Sequence, residues 1–326
     1  MSGTRETVSV VIPNFNQSRT LAACVEAALA QTYQPIEVIV ADDRSTDDSR
    51  RIARALPCTL VELPVNRGAA AARNAGVAAS RGDVVFFVDS DIVLRPDAVA
   101  QAMRVLREDP ACGLVQGIYD KQPLYGDGVV ETYKTLHEYF WRRRSAGVVR
   151  MTLFALGAMP REVFDETGGF DERVREIEDV VFGTRMSDRW TIRLTDTVVG
   201  RHDDVDRLLP MLRTQFRRAR MLTSAVAGGG RNRVRAFSPT GLLASVAALA
   251  TLPLALLSPW LLLVPAGLLA IFLASERGLL AFVGRERGPV YTISFAALHY
   301  AVYVMTVAGA AAGVPGLALR AVGGSR

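Results

Sequence analysis

Lysine is nearly absent from this chain. Only Lys121 and Lys134 occur, so its 38 basic residues are almost all arginine. A net charge of +5 suits nucleic acid, an anionic membrane surface or an anionic substrate. Alanine is abundant as well, so the arginines read as a bias of composition, and only those inside a motif are weighed as chemistry. No aromatic-interleaved basic stripe and no nucleic-acid module is recognisable, so no nucleic-acid partner is expected. Cysteine is sparse too. Cys24, Cys58 and Cys112 lie far apart without a CxxC, which speaks against a disulfide framework or a structural zinc site and predicts buried apolar thiols. The stretch MSGTRETVSVVIP has no apolar h-region, so no signal peptide is expected and the first domain is expected in the cytoplasm. The first apolar strand leads into PNFN, not GxGxxG, which disfavours a dinucleotide-binding dehydrogenase.

Charge itself is missing from Phe237 to Ser275, a run of 39 residues. As one helix this would extend about 58 Å, well beyond a hydrocarbon core of about 30 Å. Ser258-Pro259 divides it, so a tight helical hairpin is predicted, with arms at about 238–257 and 259–275. A third apolar run covers about 290–312. Arg231, Arg233 and Arg235 precede the first arm, and Arg277, Arg285 and Arg287 lie between the second and third runs. The positive-inside rule then puts the first domain and the 275–288 loop in the cytoplasm, and the tail with Arg320 and Arg326 outside. The resulting expectation is a multi-pass protein of the inner (plasma) membrane, with the lipid bilayer as a partner.

The N-terminal part alternates between two periods. VSVVI at 8–12, ending at Pro13, reads as a buried strand, followed by a helix from about Ser18 to Ala30. Ile36–Ala41 is a second strand, 46–55 a helix, Thr59–Leu63 a third strand, Arg67–Ser80 an Ala-rich helix and Val84–Val88 a strong strand. Such alternation implies parallel pairing in an α/β sheet, whose ligands sit beyond the carboxyl ends of the strands. Asp42/Asp43 and Asp89/Asp91 both follow strands directly, so they are expected on one rim. Residues 110–235 are less regular.

Asp89-Ser90-Asp91 places two carboxylates at a strand end, where they can aim at one divalent cation. Mn²⁺ or Mg²⁺ prefers oxygen ligands and accepts phosphate oxygens into its shell, which would stabilise a diphosphate leaving group. After the second strand, Asp42 or Asp43 could bind a base N–H or a ribose hydroxyl, while Ser45 or Thr46 caps the next helix. His202, just past a predicted strand in VVGRHDD, could complete the metal shell, touch the diphosphate or bond locally. His137 and His299 are read as structural.

The ordered series VVIPNFNQ, QTYQPIEVIVADDRSTDDS, NRGAAAARNAG and DVVFFVDSDIVLRPDA, continuing through GGFDE and IEDVVFGTR, resembles glycosyltransferase family 2 over roughly residues 8–220. The resemblance implies a GT-A fold, a Rossmann-like nucleotide-diphospho-sugar transferase domain. By it, Pro13, Asn14 and Asn16 line the nucleotide site, and Asp42 with Asp43 contacts the base. Arg73 sits near the donor, and Asp89, Ser90 and Asp91 hold the donor sugar and metal, with His202 as a further metal candidate. Asp179 of the Glu178-Asp179 pair is then the base that takes the proton of an acceptor hydroxyl, and a single in-line displacement inverts the anomeric carbon. For Arg73 the alternative is a salt bridge on the helix face, and for Glu178-Asp179 it is charge at a helix N-terminus.

Gln215-Phe216-Arg217-Arg218 is similar to the QxxRW motif of processive synthases, but Ala219 stands where tryptophan would be. That departure favours a single transfer. Arg218 and its neighbours are expected on donor phosphates or, equally, on lipid headgroups. The expected reaction uses a nucleotide-sugar donor, UDP-linked for preference, and a hydroxyl of a lipid-linked or membrane-associated glycan. A polyprenyl-phosphate acceptor is the alternative. It is disfavoured because Gln17 stands where an acidic residue is usual in such enzymes and because a phosphate needs no general base. A catalytically silent nucleotide-binding membrane subunit is the remaining one. The expected domains are 1–235, divided near 115 into nucleotide and acceptor halves, and a helical membrane region 236–326.

Overall fold

The structure is a computed structural model that describes residues 6–126, 128–204, 206–226 and 236–323. Arg231, Arg233, Arg235 and Arg326, which carried part of the expected orientation, lie outside the described residues. The chain divides into two compact units: residues 1–126, 141–204 and 232–234, and residues 127–140, 205–231 and 235–326.

The first unit is built on β1 (Val8–Asn14), α1 (Leu21–Leu29), β2 (Ile36–Asp42), α2 (Ser49–Arg54), β3 (Thr59–Glu62), α3 (Ala69–Ala78) and β4 (Val84–Val88). These strands pair in parallel in the order β3-β2-β1-β4. The chain continues through β5 (Ile92–Leu94), α4 (Ala98–Glu108), β6 (Cys112–Tyr119), α5 (Val129–Arg144), β7 (Gly147–Val149), β8 (Leu156–Pro160), α6 (Arg161–Thr167), α7 (Glu178–Arg185) and β9 (Thr191–His202). The sheet extends as β4-β8-β6-β9-β5, with β7 on β9. This half is mixed: β8 runs antiparallel to β4 and β6, and β5 and β7 run antiparallel to β9. Parallel pairing therefore holds throughout the first four strands, whereas in the less regular half β6 and β9 pair in parallel among antiparallel neighbours.

Pro13 does not end β1, which runs on to Asn14. The β4 partner stops at Val11, so a residue without an N–H is accommodated where β1 has only β2 beside it. Phe86 and Phe87 show the sheet's two faces. Phe86 joins the core with Leu21, Val25, Val99 and Met103 of α1 and α4, whereas Phe87 meets Phe154, Phe164 and Phe170 at centroid distances of 5.3, 6.0 and 5.7 Å. Phe182 completes that aromatic cluster, 4.8 Å from Phe170 and 4.9 Å from Phe154. It lies one helical turn after Glu178, so packing of α7 fixes where Glu178 points.

The second unit contains the first part of α5, α8 (Leu208–Val226), α9 (Pro239–Thr251), α10 (Leu263–Ser275) and α11 (Arg277–Gly323), which is kinked at Gly288, φ 82°. Short 3-10 turns at Leu252–Leu256 and Pro259–Leu262 join α9 to α10. The expected 275–288 loop is helical. Leu279 and Val283, four residues apart, bury one face of that helix against Tyr133, Phe295 and Val302. His299 is fully buried: Tyr133 Oη lies 2.9 Å from its Nδ1, and Glu276 Oε2 is 3.5 Å from its Nε2. His137 is buried as well, its Nε2 3.0 Å from the Ala236 carbonyl.

Gly157 on β8 lies between β4 and β6, where an added Cβ would meet the Val115 carbonyl oxygen at 2.6 Å. Backbone there cannot give way as a side-chain tip would. Gly157→Ala is expected to destabilise the protein by about 1–3 kcal/mol, read as a lower midpoint of urea unfolding with an unchanged slope.

Candidate active site

The carboxyl ends of β1, β2 and β4 form one rim, as the strand registers require. At its centre, Arg73 of α3 is buried and joins two acidic groups distant in sequence. Its Nη2 donates to Asp89 Oδ1 at 2.9 Å and its Nη1 to Glu178 Oε1 at 2.7 Å. The guanidinium carbon also lies 5.5 Å from the Phe170 ring centre. Arg73 is thus not a surface pair on its helix. Burial lowers its proton affinity, but the charges of Asp89 and Glu178 outweigh this and hold it above its ordinary value. Asp89 is pushed up by burial, against the pull of Arg73 and with the repulsion of Asp91 and Glu178.

The DSD turn divides its work. Ser90 is buried, and its backbone carbonyl accepts from the Thr20 hydroxyl at 2.8 Å. Asp91 Oδ1 is buried without a hydrogen-bond partner, and Asp91 Oδ2 is 3.5 Å from His202 Nε2. The sheet explains the approach of His202. β9 pairs antiparallel with β5, His202 lies opposite Ile92, and Asp203 N donates to the Asp91 carbonyl at 2.9 Å. Among the described residues, no group of three His, Cys, Asp or Glu side chains is spaced to hold a metal. Asp89 gives one oxygen to Arg73, and Asp91 and His202 approach each other to 3.5 Å.

The nucleotide side of the rim is a hydrogen-bonded loop system. Asn14 Nδ2 donates to Asp42 Oδ2 at 2.9 Å and to Ser45 Oγ at 3.1 Å, leaving Asn14 Oδ1 buried without a partner. Asp42 Oδ1 accepts from Ser45 N at 2.8 Å. Asn16, at φ 53°, uses Oδ1 to hold Thr46 N at 2.7 Å. Asp43 takes the N–H groups of Arg67 and Gly68, both at 2.7 Å. Pro13 is buried at the end of β1. Neither Ser45 nor Thr46 caps α2. Ser45 Oγ instead accepts from Asn14 and from Asn16 N at 2.9 Å, and Asp47 Oδ1 takes Ser49 N at 2.9 Å.

On the other side, α7 opens with Glu178-Asp179. Glu178 is committed to Arg73, while Asp179 is half-buried, and its Oδ1 accepts from Val180 N at 2.8 Å. The glycine pair before α7 is needed locally. Gly168 ends α6 at φ 81° and Gly169 follows at φ 70°. Asn74 then clamps the loop. Its Nδ2 donates to the Phe170 carbonyl at 2.9 Å and to Glu172 Oε1 at 3.0 Å, and its Oδ1 accepts from Phe170 N at 2.8 Å. Sequence reasoning missed Asn74 and Thr20, and gave Ser45 a capping role in place of its bonds to Asn14 and Asn16. The one available signal was that Asn74 directly follows Arg73 in the RNAG segment. Arg218 lies exposed on α8, in the second unit, and is not among the residues that bond around Arg73.

Residues 9–167 match the family model described as glycosyl transferase family 2. The chain is 35% identical over 125 residues to glycosyltransferase GlyG of Streptococcus pneumoniae, covering 35% of this chain and 40% of that protein. It is 40% identical over 89 residues to the UDP-Glc:alpha-D-GlcNAc-diphosphoundecaprenol beta-1,3-glucosyltransferase WfaP of Escherichia coli, covering 26% and 36%. The match thus spans less than half the length of these curated relatives. Among solved structures, the mannosyltransferase PcManGT of Pyrobaculum calidifontis, in complex with GDP-Man and Mn²⁺, aligns over 95% of this chain and 88% of its own with a TM-score of 0.59 at 24% identity. That likeness shows the fold, which is GT-A. Through residues 9–167, the chain belongs to glycosyltransferase family 2.

Proposed function

We propose that the protein transfers a sugar from a nucleotide-sugar, UDP-linked for preference, to a hydroxyl of a lipid-linked or membrane-associated glycan, with inversion and with a divalent cation. One observation carries this reading. Arg73 gathers Asp89 and Glu178 at the rim, beside the Asp91 Oδ1 oxygen, which is buried without a hydrogen bond. The WfaP name, with its UDP-glucose donor and diphosphoundecaprenol acceptor, supports the same class of substrates.

A cation fits the donor set. A buried carboxylate oxygen without a hydrogen bond is costly unless something positive faces it, and the oxygen-rich set suits Mn²⁺ or Mg²⁺. Asp91, with Asp89 and His202 beside it, would hold the ion, which would neutralise the diphosphate and stabilise it as a leaving group. The remaining work falls to the chain. Asn14 and the Asp42–Ser45 loop present polar groups to the nucleoside, and Arg73 fixes Asp89 and Glu178. Asp179 accepts the proton of the acceptor hydroxyl as its oxygen attacks the anomeric carbon and the bond to the nucleoside diphosphate breaks. Of the adjacent carboxylates, Glu178 is held by Arg73, and the family resemblance makes Asp179 the proposed base.

The apolar segments support a membrane location. Pro239–Leu256 and Arg277–Val314 are long and apolar enough to cross a bilayer, and Leu256, Leu257 and Trp260 are about 80–90% exposed. α9 with its 3-10 extension reaches about 30 Å, which matches a hydrocarbon core. The second half of α11 is different. Gln215 Nε2 donates to Thr306 Oγ1 at 2.9 Å, and Gly309 and Gly313 let α8 approach closely at Phe216 and Arg220. The helices run side by side in the same direction, so Arg213, Arg217, Arg218 and Arg220 lie level with residues 302–313. Placing those arginines in hydrocarbon would cost about 2.5–3.5 kcal/mol each on insertion scales. We therefore assign this stretch to the cytoplasmic membrane surface, with the α9–α10 hairpin as the anchor and the C-terminus inside.

Asp179→Asn is expected to bind donor normally, followed by thermal shift with UDP-sugars, and to lose transfer by at least about a hundredfold. Unchanged turnover would remove Asp179 as base. Chelation by EDTA should stop transfer and Mn²⁺ or Mg²⁺ should restore it, whereas full activity in EDTA would remove the cation. A C-terminal green fluorescent protein fusion should fluoresce and a C-terminal alkaline phosphatase fusion should be silent. The opposite pair would restore a third crossing.

A further inference from the structure

His202 is held by more than its strand. Tyr119, at the end of β6, lies opposite Gly200 of β9, so His202, two residues on, projects from the same face. The Tyr119 and His202 rings stack at 4.6 Å with an interplanar angle of 13°. The guanidinium carbon of Arg142 lies 4.3 Å from the centre of that Tyr119 ring and 5.0 Å from the Trp141 ring. Tyr119 and Arg142 are 8% and 6% exposed, so this is an interior arrangement and not a chance surface contact. The imidazole is flanked by carboxylates, with Asp91 Oδ2 3.5 Å from Nε2 and Asp204 Oδ2 3.7 Å from Nδ1. All of these residues belong to the first unit.

We propose that Tyr119 and Arg142 are positioning residues that aim His202 Nε2 at the Asp91 carboxylate, making His202 a working member of the cation site. The inference rests on the cation proposed above. The terminal torsion of histidine is broad and nearly two-fold, so the strand alone does not choose the ring's plane. A parallel ring at stacking distance does. Of the two flips that share this plane, the one with Nε2 facing Asp91 and Nδ1 facing Asp204 puts a ring nitrogen toward each carboxylate. Arg142 acts through Tyr119, its charge holding the electron-rich ring in place. An imidazole orientated in this way needs no rearrangement when an ion arrives, and loss of such support lowers metal affinity by about 10- to 100-fold in comparable sites.

The test is Mn²⁺ binding to the full-length protein in detergent with UDP present, measured by the electron paramagnetic resonance signal of free Mn²⁺. Tyr119→Ala is expected to weaken Mn²⁺ at least about tenfold, and Tyr119→Phe, which keeps the ring, to bind within about twofold of wild type. Placing Tyr119→Ala in a His202→Ala background should add almost nothing, because the ring then has nothing to orient. Arg142→Met gives the same reading should Tyr119→Ala not fold. Equal affinity in Tyr119→Ala and wild type, or an additive effect in the double variant, would overturn the proposal while leaving the cation site standing. Absence of Mn²⁺ binding in wild type itself would remove the cation site, and this inference with it.

Discussion

Arg73 is the constraint on which the site depends. A buried guanidinium is tolerable only with its charge answered, and here the answers come from Asp89 behind β4 and Glu178 at the start of α7, residues 89 positions apart in the chain. The bridge therefore does what neither strand order nor helix packing does alone: it fixes the first carboxylate of the DSD turn relative to the Glu178-Asp179 pair. Removal of the arginine would leave the buried Glu178 and the half-buried Asp89 without an answering charge, a cost of up to about 3–5 kcal/mol for a broken buried pair. Phe170 beneath the guanidinium and Asn74 beside it tie the same node to the GGFDE loop. The site is thus organised around α3, although its chemistry lies on other elements.

The sheet provides the frame for this bridge. Parallel pairing of β2, β1 and β4 brings Asp42, Asn14 and Asp89 to one edge, and the reversal at β9 returns His202 to Asp91. The loops between strands and helices are stiffened by side chains bonding to backbone: Asp43 to residues 67 and 68, Asn16 to residue 46, and Asp47 to residues 18 and 49. Each of these bonds satisfies a backbone donor that a short loop would otherwise leave unpaired. A rim built in this way is ordered before any ligand arrives, which lowers the cost of binding.

What was legible in the sequence was the local part. The strand runs up to Val88 are β-branched and apolar, so their period and their acidic ends could be read directly, and β2 and β4 fall within a residue of the expected spans. What could not be read is what depends on distant partners. The Ser45 hydroxyl has the sequence context of a helix cap, but Asn14 and Asn16, about 30 residues earlier, claim it. The sequence offers Arg73 as a residue near the donor or as a salt bridge on the helix face, and only the fold reveals two carboxylates at its tip. Residues 277–287 read as a charged loop, yet Leu279 and Val283 had a helical spacing that burial against α5 and α11 makes decisive. The third apolar run reads as a crossing on hydropathy alone. Its neighbour α8 supplies arginines at the same level, and hydropathy of one segment carries no information about the helix beside it.

The same bridge bears on how a cation and a base can coexist a short distance apart. Asp89, Asp91 and Glu178 crowd one end of the sheet, and mutual repulsion together with burial pushes Asp89 up. Arg73 offsets part of that repulsion, and it does so unevenly: Asp89 and Glu178 receive its two donor nitrogens, Asp91 and Asp179 receive none. Charge that Arg73 does not meet therefore remains at Asp91, whose Oδ1 is buried without a hydrogen bond and where the proposed divalent ion would be attracted. Had Arg73 reached Asp91 instead, the proposed ion would have lost the buried oxygen that has no hydrogen bond. Had it reached Asp179, that carboxylate would have been a poorer base, since a paired carboxylate holds its proton more weakly. The arginine thus makes unlike surroundings for carboxylates that the sequence presents alike.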